Sequence, residues 1–349
     1  MAVKLKKLKD QTVVITGASS GIGLVTARMA AKRGASVVVA ARDEASLRKL
    51  VDEIKRKGGK AAYVVADVGK EEDVRHIAQT AIQHFGGFDT WVNNAGVSIY
   101  GMIEEISIED MKRLFDTNFW GVIYGSRIAA KYLKNRPSKQ GGAIINIGST
   151  LSDRVVPIQG IYSTSKHAVK GFTDAFRMEL EMNDAPISVT LIKPAAIDTP
   201  YPQHAKNYMD VEPSLPPPVY APEVVAETIL HCAENPTRDA FAGGGGKALS
   251  ALGQYAPRLA DTIMETSLFN SQQKRTDKPA RRRRSGLEGA SGTLKERGEY
   301  QGHVAETSAY TTATLNPLST TALIIGGAGL AIAAAYAFGN KQNGNGSSR

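Results

Sequence analysis

Short apolar stretches and amphipathic stretches alternate along the chain from residue 12 to about residue 245. The apolar stretches are rich in β-branched residues, as is typical of strands buried on both faces of a sheet. Helical periodicity fills the intervals between them. The predicted strands are TVVIT (12–16), SVVVAA (36–41), AAYVVADV (61–68), FDTWVNNAG (88–96), AIINIGST (143–150) and ISVTLIKP (187–194). This alternation predicts an α/β domain built as a doubly wound parallel sheet.

The composition divides the chain into five parts. Residues 1–250 carry the α/β pattern, and 251–270 form a C-terminal helical extension. Residues 271–317 are polar, charged and rich in Gly, Ser and Thr, which predicts a largely disordered linker. Residues 318–339 contain no charge and match the ~20 residues that span a bilayer, and 340–349 form a polar tail. Because 318–339 consists mainly of Ala, Gly and Thr, two interpretations stay open: a transmembrane helix, or an apolar helix that docks on a protein surface.

Charge and cysteine content narrow the setting of the protein. The 349 residues carry a formal net charge of +9, much of it in KRTDKPARRRR at 274–284. This run is interpreted as a solvated linker, with binding to anionic lipid or to nucleic acid as the alternatives. No aromatic residues interleave the arginines to stack on bases, so no nucleic-acid partner is expected. Cys232 is the single cysteine, and no secretory signal is recognised in the basic N-terminal stretch, so a cytoplasmic catalytic domain is expected. This domain would be anchored to a membrane if 318–339 spans the bilayer. The six histidines show no metal-ligand spacing, and no metal site is predicted.

A glycine-rich loop, TGASSGIG at 16–23, joins the first strand to the first helix. Glycines let the backbone approach a pyrophosphate closely, and a helix N-terminus offers free N–H groups and a positive dipole end. The order G-x-x-x-G-x-G differs from the common G-x-G-x-x-G fingerprint. At the first strand–helix junction of an alternating chain, the loop predicts a dinucleotide site. The predicted contacts are Gly17, Ser19, Ser20, Gly21, Ile22 and Gly23.

The residues at the end of the second strand indicate which dinucleotide binds. Cofactors with a free ribose 2′-hydroxyl usually find an acidic residue here, but the chain has Ala41 followed by Arg42. A guanidinium fork suits a 2′-phosphate. We therefore expect NADP(H) rather than NAD(H). A surface arginine without a ligand is the alternative, and Asp43 is a complication, because its carboxylate could turn toward a ribose hydroxyl.

Tyr162 and Lys166 are four residues apart in IYSTSKHAV at 161–169. Two neighbours on a helix surface would show the same spacing, so the pair alone decides nothing. A free phenol has a pKa near ~10 and is a poor base at neutral pH. Because residues i and i+4 share a helix face, Lys166 can place a positive charge near Tyr162 and favour the phenolate. Tyr162 can then act as a general acid or base.

Together, these motifs resemble the short-chain dehydrogenase/reductase family in order and spacing, over about residues 10–245. Besides the glycine loop and the Tyr162/Lys166 pair, the resemblance depends on NNAG at 93–96, Asn118 in DTNFWG, Ser149 in IINIGST, and KPAAIDT at 193–199. It implies a Rossmann-type, NADP-binding catalytic domain and an enzyme that acts on CH–OH groups with NAD(P). Residues 216–267 also resemble an uncharacterised bacterial subgroup that carries a C-terminal extension.

The resemblance also implies a role for each matched residue. Tyr162 is the acid/base, Ser149 hydrogen-bonds the substrate oxygen, Lys166 also binds the nicotinamide ribose, and Asn118 holds a water on a proton path. Many members carry glycine where this chain has Ala195, whose methyl narrows the nicotinamide pocket slightly. The implied cofactor contacts beyond the glycine loop are Arg42, Asp67, Val68, Asn94, Ala95, Gly96, Tyr162, Lys166, Pro194, Ile197 and Thr199.

The sequence thus predicts an NADP(H)-dependent oxidoreductase that interconverts a carbonyl and a secondary alcohol by hydride transfer. The substrate wall is expected from 151–159 and from the Pro-rich stretch 201–220, whose apolar residues favour an apolar small molecule. Family members usually form homodimers or homotetramers through the Tyr162 helix and its successor. A non-catalytic NADP(H)-binding redox sensor or membrane-tethered scaffold is the alternative, and it would not need the catalytic residues. The predicted apolar wall residues are Val155, Val156, Pro157, Ile158 and Tyr201.

Overall fold

The computed structural model describes residues 3–136, 140–274 and 284–315. Strands of two to eight residues alternate with helices over most of this length. The strands are β1 (Thr12–Thr16), β2 (Ser36–Ala41), β3 (Lys60–Val65), β4 (Thr90–Asn93), β5 (Ile99–Tyr100), β6 (Gly142–Ile147), β7 (Ile187–Pro194), β8 (Ala196–Ile197), β9 (Lys206–Asn207), β10 (Val219–Tyr220), β11 (Asp239–Ala242) and β12 (Val304–Ala305).

The helices follow the predicted pattern and continue beyond it into the C-terminal part. They are α1 (Gly21–Lys32), α2 (Glu44–Arg56), α3 (Glu71–Phe85), α4 (Ile108–Phe115), α5 (Gly121–Asn135), α6 (Gly160–Met182), α7 (Tyr201–His204), α8 (Pro222–Glu234), α9 (Gly244–Tyr255), α10 (Pro257–Ile263), α11 (Phe269–Ser271) and α12 (Ala309–Leu315). Short 3₁₀ turns cover Leu8–Asp10 and Thr150–Ser152, and π turns cover Asp116–Trp120 and Met264–Leu268.

The main sheet has seven strands in the order β11-β7-β6-β4-β1-β2-β3, and every pair in it is parallel. The predicted doubly wound α/β fold is therefore confirmed. The sequence pattern missed β11, because its four residues, DAFA, lack a β-branched run. Strand order reverses between β1 and β4, and ligands of such sheets bind at the carboxyl ends of the strands that flank the reversal.

Each face of the sheet is covered by helices that bury their own apolar cluster. On one face, α1, α2 and α8 contribute side chains such as Leu24, Leu47 and Ile229. On the other face, α3, α5 and α6 contribute side chains such as Ile77 and Leu180. Because both faces are buried, the strands are apolar along their whole length, which is why the sequence shows continuous runs rather than alternation.

The described C-terminal residues pack on the α/β domain, which differs from the disordered linker predicted for 271–317. Strand β12 extends a small parallel sheet with β10 and β8, and α12 lies beside α8, α9 and β11. The contacts combine backbone hydrogen bonds and ion pairs with isolated apolar contacts of Leu287, Leu294 and Val304, which follow no period. Such contacts leave no apolar pattern in the sequence, and composition alone therefore indicated disorder.

Some predictions fall outside these residues or concern features that the described part does not contain. Among the described helices, none combines the length and apolar character that crossing a membrane requires. The same residues contain no group of three or more His, Cys, Asp or Glu side chains able to hold a metal ion. The segments 318–339 and 340–349, and 275–283 of the basic run, lie outside the described residues. A membrane or docked helix at 318–339 therefore stays a prediction.

Candidate active site

The glycine loop lies at the reversal of strand order, between the ends of β1 and β4. Gly17 has a φ of 68°, in the left-handed region that favours glycine. A Cβ at Gly23 would meet the Gly17 carbonyl oxygen and lie 2.6 Å from Asn94 Nδ2. Asn94 Nδ2 donates to the Thr16 carbonyl at 2.9 Å, and Thr16 Oγ1 accepts from the Asn94 N–H at 3.0 Å and from the Ala95 N–H at 3.1 Å. The sequence analysis missed Thr16, although it is the first residue of the loop motif.

A cavity of about 170 Å³ opens beside this loop and holds the predicted adenosine-side residues. Asp43 also lines the cavity, and its Oδ1 caps α2 by accepting from the Ser46 N–H at 2.7 Å. The loop glycines leave room for a phosphate group, and these residues fit the adenosine end of a dinucleotide. The predicted residues that line the cavity are Gly17, Ser19, Ser20, Gly21, Ile22, Arg42, Asp67, Val68, Asn94, Ala95, Gly96 and Thr199.

A second, larger cavity of about 620 Å³ continues from the glycine loop toward α6. Three of the four predicted catalytic residues, Ser149, Tyr162 and Lys166, line it together. The fourth, Asn118, does not. The volume of this cavity lies within the ~300–1,000 Å³ that is usual for small-molecule sites. The predicted cofactor contacts that also line it are Ile22, Asn94, Gly96, Pro194, Ile197 and Thr199.

Tyr162 lies in the first turn of α6, and its ring packs edge-on against Tyr201 at a centroid distance of 5.5 Å. Burial raises the pKa of Tyr162 to about 12, while hydrogen bonds from Tyr201 and Ser149 act in the opposite direction. This differs from the expectation that Lys166 favours the phenolate. Burial is the largest influence, because the hydroxyl points into the protein-lined cavity. Tyr162 therefore keeps its proton at neutral pH in this structure and is suited to act as an acid.

Lys166 is buried, with 4% of its surface exposed, one turn along the same helix face. Its ammonium lies 5.7 Å from the centroid of the Tyr162 ring and donates to the Ile147 carbonyl at 2.8 Å. Burial lowers the pKa of Lys166 to about 8. The positive charge is thus available at neutral pH, but it is costly to hold and responds to any negative charge placed nearby.

Ser149 and Asn118 both have structural hydrogen bonds. Ser149 Oγ accepts from the Leu151 N–H at 3.0 Å and caps a 3₁₀ turn, while still lining the cavity. Asn118 is fully buried in a π turn and exchanges two hydrogen bonds with the Val97 backbone, at 2.8 and 2.9 Å. Its Nδ2 also donates to Ser165 Oγ at 3.1 Å. In this structure Asn118 joins the end of β4 to α6, and its predicted role in holding a water stays a prediction.

A chain of polar side chains, which the sequence analysis did not predict, reaches Tyr162 from Gln272, the residue that follows α11. Gln272 Nε2 donates to two backbone carbonyls, so its Oε1 accepts from Gln159 Nε2 at 2.7 Å. Gln159 Oε1 is then left to accept from Tyr201 Oη at 3.0 Å, and Tyr201 Oη lies 2.7 Å from Ser98 Oγ. The Tyr201 proton can turn to Tyr162 when that residue is ionised, because an anion is the stronger acceptor.

The walls of the large cavity come from both predicted segments and from the C-terminal helices. Val156 and Gln159 reach it, whereas Val155, Pro157 and Ile158 line a neighbouring surface cavity, which corrects part of the predicted wall. Four polar side chains from beyond residue 200 contribute: Tyr201, Ser267, Ser271 and Gln272. The sequence analysis missed the share of the extension, because its apolar residues indicate a buried face without saying what they cover. Apolar lining residues from beyond residue 200 are Leu215, Pro216, Pro217, Pro218, Ala248, Leu249, Leu252, Ile263 and Leu268.

Residues 284–298, here called the strap, cross the outer side of the cofactor cleft. At one side the Gly286 N–H donates to the His204 carbonyl at 2.7 Å. At the other side the Leu294 N–H donates to the Ser19 carbonyl at 3.0 Å, and the Gly21 N–H donates to the Lys295 carbonyl at 2.9 Å. The strap therefore forms the outer wall of the smaller cavity. The strap residues that line it are Gly286, Ala290, Ser291 and Gly292.

Sheet order, glycine loop and the Ser149/Tyr162/Lys166 group together define an oxidoreductase that acts on CH–OH groups with a nicotinamide cofactor. The family model described as short chain dehydrogenase matches residues 11–209. The chain is 52% identical over 326 residues to the uncharacterised oxidoreductase YxnA of Bacillus subtilis, covering 93% of this chain and 90% of that protein. It therefore belongs to the short-chain dehydrogenase/reductase family.

Other similar proteins carry more specific descriptions. The 3beta-hydroxysteroid dehydrogenase 1 of Eggerthella lenta is 39% identical over 206 residues, which cover 59% of this chain and 77% of that protein. A short-chain dehydrogenase/reductase from Burkholderia phymatum, solved in complex with NAD, superposes with a TM-score of 0.65 at 25% identity, over 73% of this chain and 96% of that one. An alcohol dehydrogenase from Thermococcus sibiricus, complexed with 5-hydroxy-NADP, gives a TM-score of 0.57 at 25% identity, over 66% and 95%.

Proposed function

We propose that the protein is an NADP(H)-dependent oxidoreductase that interconverts an apolar carbonyl compound and its secondary alcohol, with Tyr162 as the general acid/base. The observation that carries this proposal is the large cavity. Ser149, Tyr162 and Lys166 line it together with predicted cofactor contacts such as Ile197 and Thr199. Apolar side chains from three parts of the chain form its other walls. Such a site can hold an apolar molecule and present its polar oxygen to Tyr162.

When bound, the nicotinamide would supply or accept the hydride. The chain would provide the proton: Tyr162 Oη donates it to the carbonyl oxygen in reduction and removes it from the alcohol in oxidation. Ser149 Oγ would hydrogen-bond the same oxygen. Because burial raises the pKa of Tyr162 to about 12, the protonated phenol dominates at neutral pH. The protonated phenol is the form that donates the proton in carbonyl reduction.

The preference for NADP(H) is supported at the adenosine end. Arg42 lines the smaller cavity, and Ala41 replaces the acidic residue that would bind a ribose 2′-hydroxyl. The Asp43 carboxylate, the other candidate for that hydroxyl, is engaged as the cap of α2. A 2′-phosphate would therefore meet a guanidinium rather than a free carboxylate.

The substrate class follows from the character of the large cavity. The hydrogen-bonding side chains of Gln159 and Gln272 are bonded to each other, so they are not free to solvate a polar substrate. We propose a substrate with a bulky apolar body, and an assembly of two or four copies through α6 and its successor, as in other family members. The relative from Eggerthella lenta, named for a hydroxysteroid, is consistent with a bulky apolar substrate.

The test is a fluorescence titration of the full chain with NADPH and with NADH, using wild type, Arg42→Ala and Arg48→Ala. Arg48 is a matched control, because it is exposed on α2 and pairs with Glu44. We expect NADPH to bind more tightly than NADH, and only Arg42→Ala to weaken NADPH, by about 10- to 100-fold for a lost charge-assisted pair. Equal or tighter NADH binding would contradict the cofactor assignment.

Turnover is then measured as NADPH consumption with a panel of bulky apolar and small polar carbonyl compounds. Tyr162→Phe is the inactive control. Activity confined to small polar compounds would contradict the substrate class. NADPH binding without turnover of any compound would favour the alternative, a non-catalytic redox sensor or scaffold.

A further inference from the structure

Two carbonyl oxygens of the strap are bonded to hydrogen-bond donors of the cofactor cleft. The Gly286 carbonyl accepts from the Arg42 guanidinium, and the Lys295 carbonyl accepts from the Gly21 N–H at 2.9 Å. Arg42 is the residue that the proposed function assigns to a 2′-phosphate, and Gly21 begins α1, where free N–H groups favour anions. The strap thus presents partial negative charge at two positions where a dinucleotide would present phosphate oxygens.

The space that the strap leaves is small. The cavity beneath it measures about 170 Å³, against the ~300–1,000 Å³ that small-molecule sites usually offer. Gly292 lies very close to the floor of the cleft: a Cβ on it would come within 2.7 Å of Asp43 Cβ and 2.9 Å of Ser19 Cβ. A dinucleotide and the docked strap would therefore compete for volume as well as for donors.

The docked strap is strained near its centre, while its C-terminal end is attached outside the cleft. Leu294 has a φ of 52°, in the left-handed region that an L side chain rarely adopts. Beyond it, Glu296 pairs with Arg28 at 2.7 Å, and the Gly298 N–H donates to Asp198 Oδ1 at 3.1 Å. If residues 284–295 left the cleft, 296–315 would keep these contacts and the strain at Leu294 would be relieved, whereas the Lys206–Glu288 ion pair and the packing of Leu287 would be lost.

We propose that the strap is an internal competitor of the dinucleotide, with its Gly286 and Lys295 carbonyl oxygens at the anion positions of the cleft. This inference assumes the proposed function, since it needs a nucleotide that binds there. A phosphate forms charge-assisted hydrogen bonds that are stronger than those of a neutral carbonyl, so the nucleotide displaces the strap rather than the reverse. The apparent affinity is lowered by the fraction of molecules in which the strap is docked.

The first test is amide hydrogen exchange of the full wild-type chain with and without NADPH. The Leu294 N–H is bonded to the Ser19 carbonyl in the docked state, so its exchange reports on docking. Displacement predicts that NADPH speeds exchange in peptides from 286–295. Slower exchange there would overturn the proposal and would mean that the strap closes over the bound nucleotide.

The second test uses two glycine substitutions within the strap. Gly292→Val forces a side chain against Asp43 and Ser19, whereas Gly289→Val meets only the flexible side chain of Arg284. We expect Gly292→Val to lower the Kd for NADPH about tenfold, as removal of a 90% docked state would, and Gly289→Val to leave it unchanged. Exchange at 286–295 without nucleotide should be faster in Gly292→Val alone, which confirms that the substitution undocks the strap.

The outcomes separate this inference from the proposed function. If NADPH binds wild type and Gly292→Val equally, or binds the variant more weakly, the competitor role is refuted and the dinucleotide site stands. If neither protein binds NADPH or NADH, although exchange shows the strap undocked in the variant, the proposed function fails and the inference fails with it.

Discussion

The charge of the buried Lys166 should make the stability of the protein depend on pH in a predictable way. Its ordinary pKa of 10.5 falls to about 8 in the folded protein, because burial disfavours the ammonium. Between these values the unfolded chain binds more protons than the folded chain, so the free energy of unfolding rises with pH. Linkage over a shift of this size predicts that stability increases by about 2 kcal/mol from pH 7 to pH 10.

Lys166→Met isolates this effect, since it keeps the length of the side chain without the charge. We expect the unfolding free energy of wild type to rise by about 2 kcal/mol relative to that of the variant between pH 7 and pH 10. Urea unfolding without nucleotide, followed by circular dichroism at several pH values, measures it. A difference that is independent of pH, or that shifts toward the variant, would refute the assignment of Lys166 as a destabilised buried ammonium.

Two further predictions concern the loop and the acid/base. Gly23→Ala places a Cβ 2.6 Å from Asn94 Nδ2, so it should weaken NADPH binding more than tenfold and destabilise the fold. Its control is Gly171→Ala in α6, where a Cβ meets open space. This substitution should stabilise the helix by up to ~1 kcal/mol. Tyr201→Phe removes a hydrogen bond that lowers the pKa of Tyr162. The pH midpoint of alcohol oxidation should rise by about one to two units, because a hydrogen bond to a charged group contributes ~1.5–3 kcal/mol.

Each of these predictions has an outcome that would contradict it. Gly23→Ala with wild-type nucleotide affinity would show that the loop tolerates a side chain there. For the tyrosine, Tyr132→Phe is the control, since its hydroxyl donates to the Gly86 carbonyl between α3 and β4 and not to a residue of the large cavity. An equal shift in both variants, or a Tyr201→Phe variant that loses activity at every pH without a shift, would mean that Tyr201 only supports the fold.

The sequence predicted those features of the fold and site that depend on neighbouring residues. Strands β1, β2 and β7 have the predicted bounds, because each is a continuous β-branched run. The position of the glycine loop and the common helix face of Tyr162 and Lys166 were likewise predicted from local spacing. The spacing did not indicate how deeply that face is buried, and the direction of the Tyr162 pKa shift was therefore not foreseen.

The features that the sequence did not predict are contacts between distant segments. Gln159 bonds to Gln272, and Ser19 bonds to Leu294. The strap is polar and aperiodic, and it is held by backbone carbonyls and ion pairs that many sequences could provide. Composition cannot distinguish such a segment from a solvated one, because its energetic gain comes from a particular partner surface rather than from its own apolar residues.

The apolar wall formed by α9 and by the turns after α10 has a consequence for how this protein could diversify. These elements follow β11, so the sheet, the glycine loop and Tyr162 are complete before the wall begins. Changes at Leu249, Leu252 or Leu268 would alter the shape offered to a substrate without touching a strand or a proton-transferring group. The residues of this wall can thus change, and substrate selectivity with them, while the catalytic residues earlier in the chain are retained.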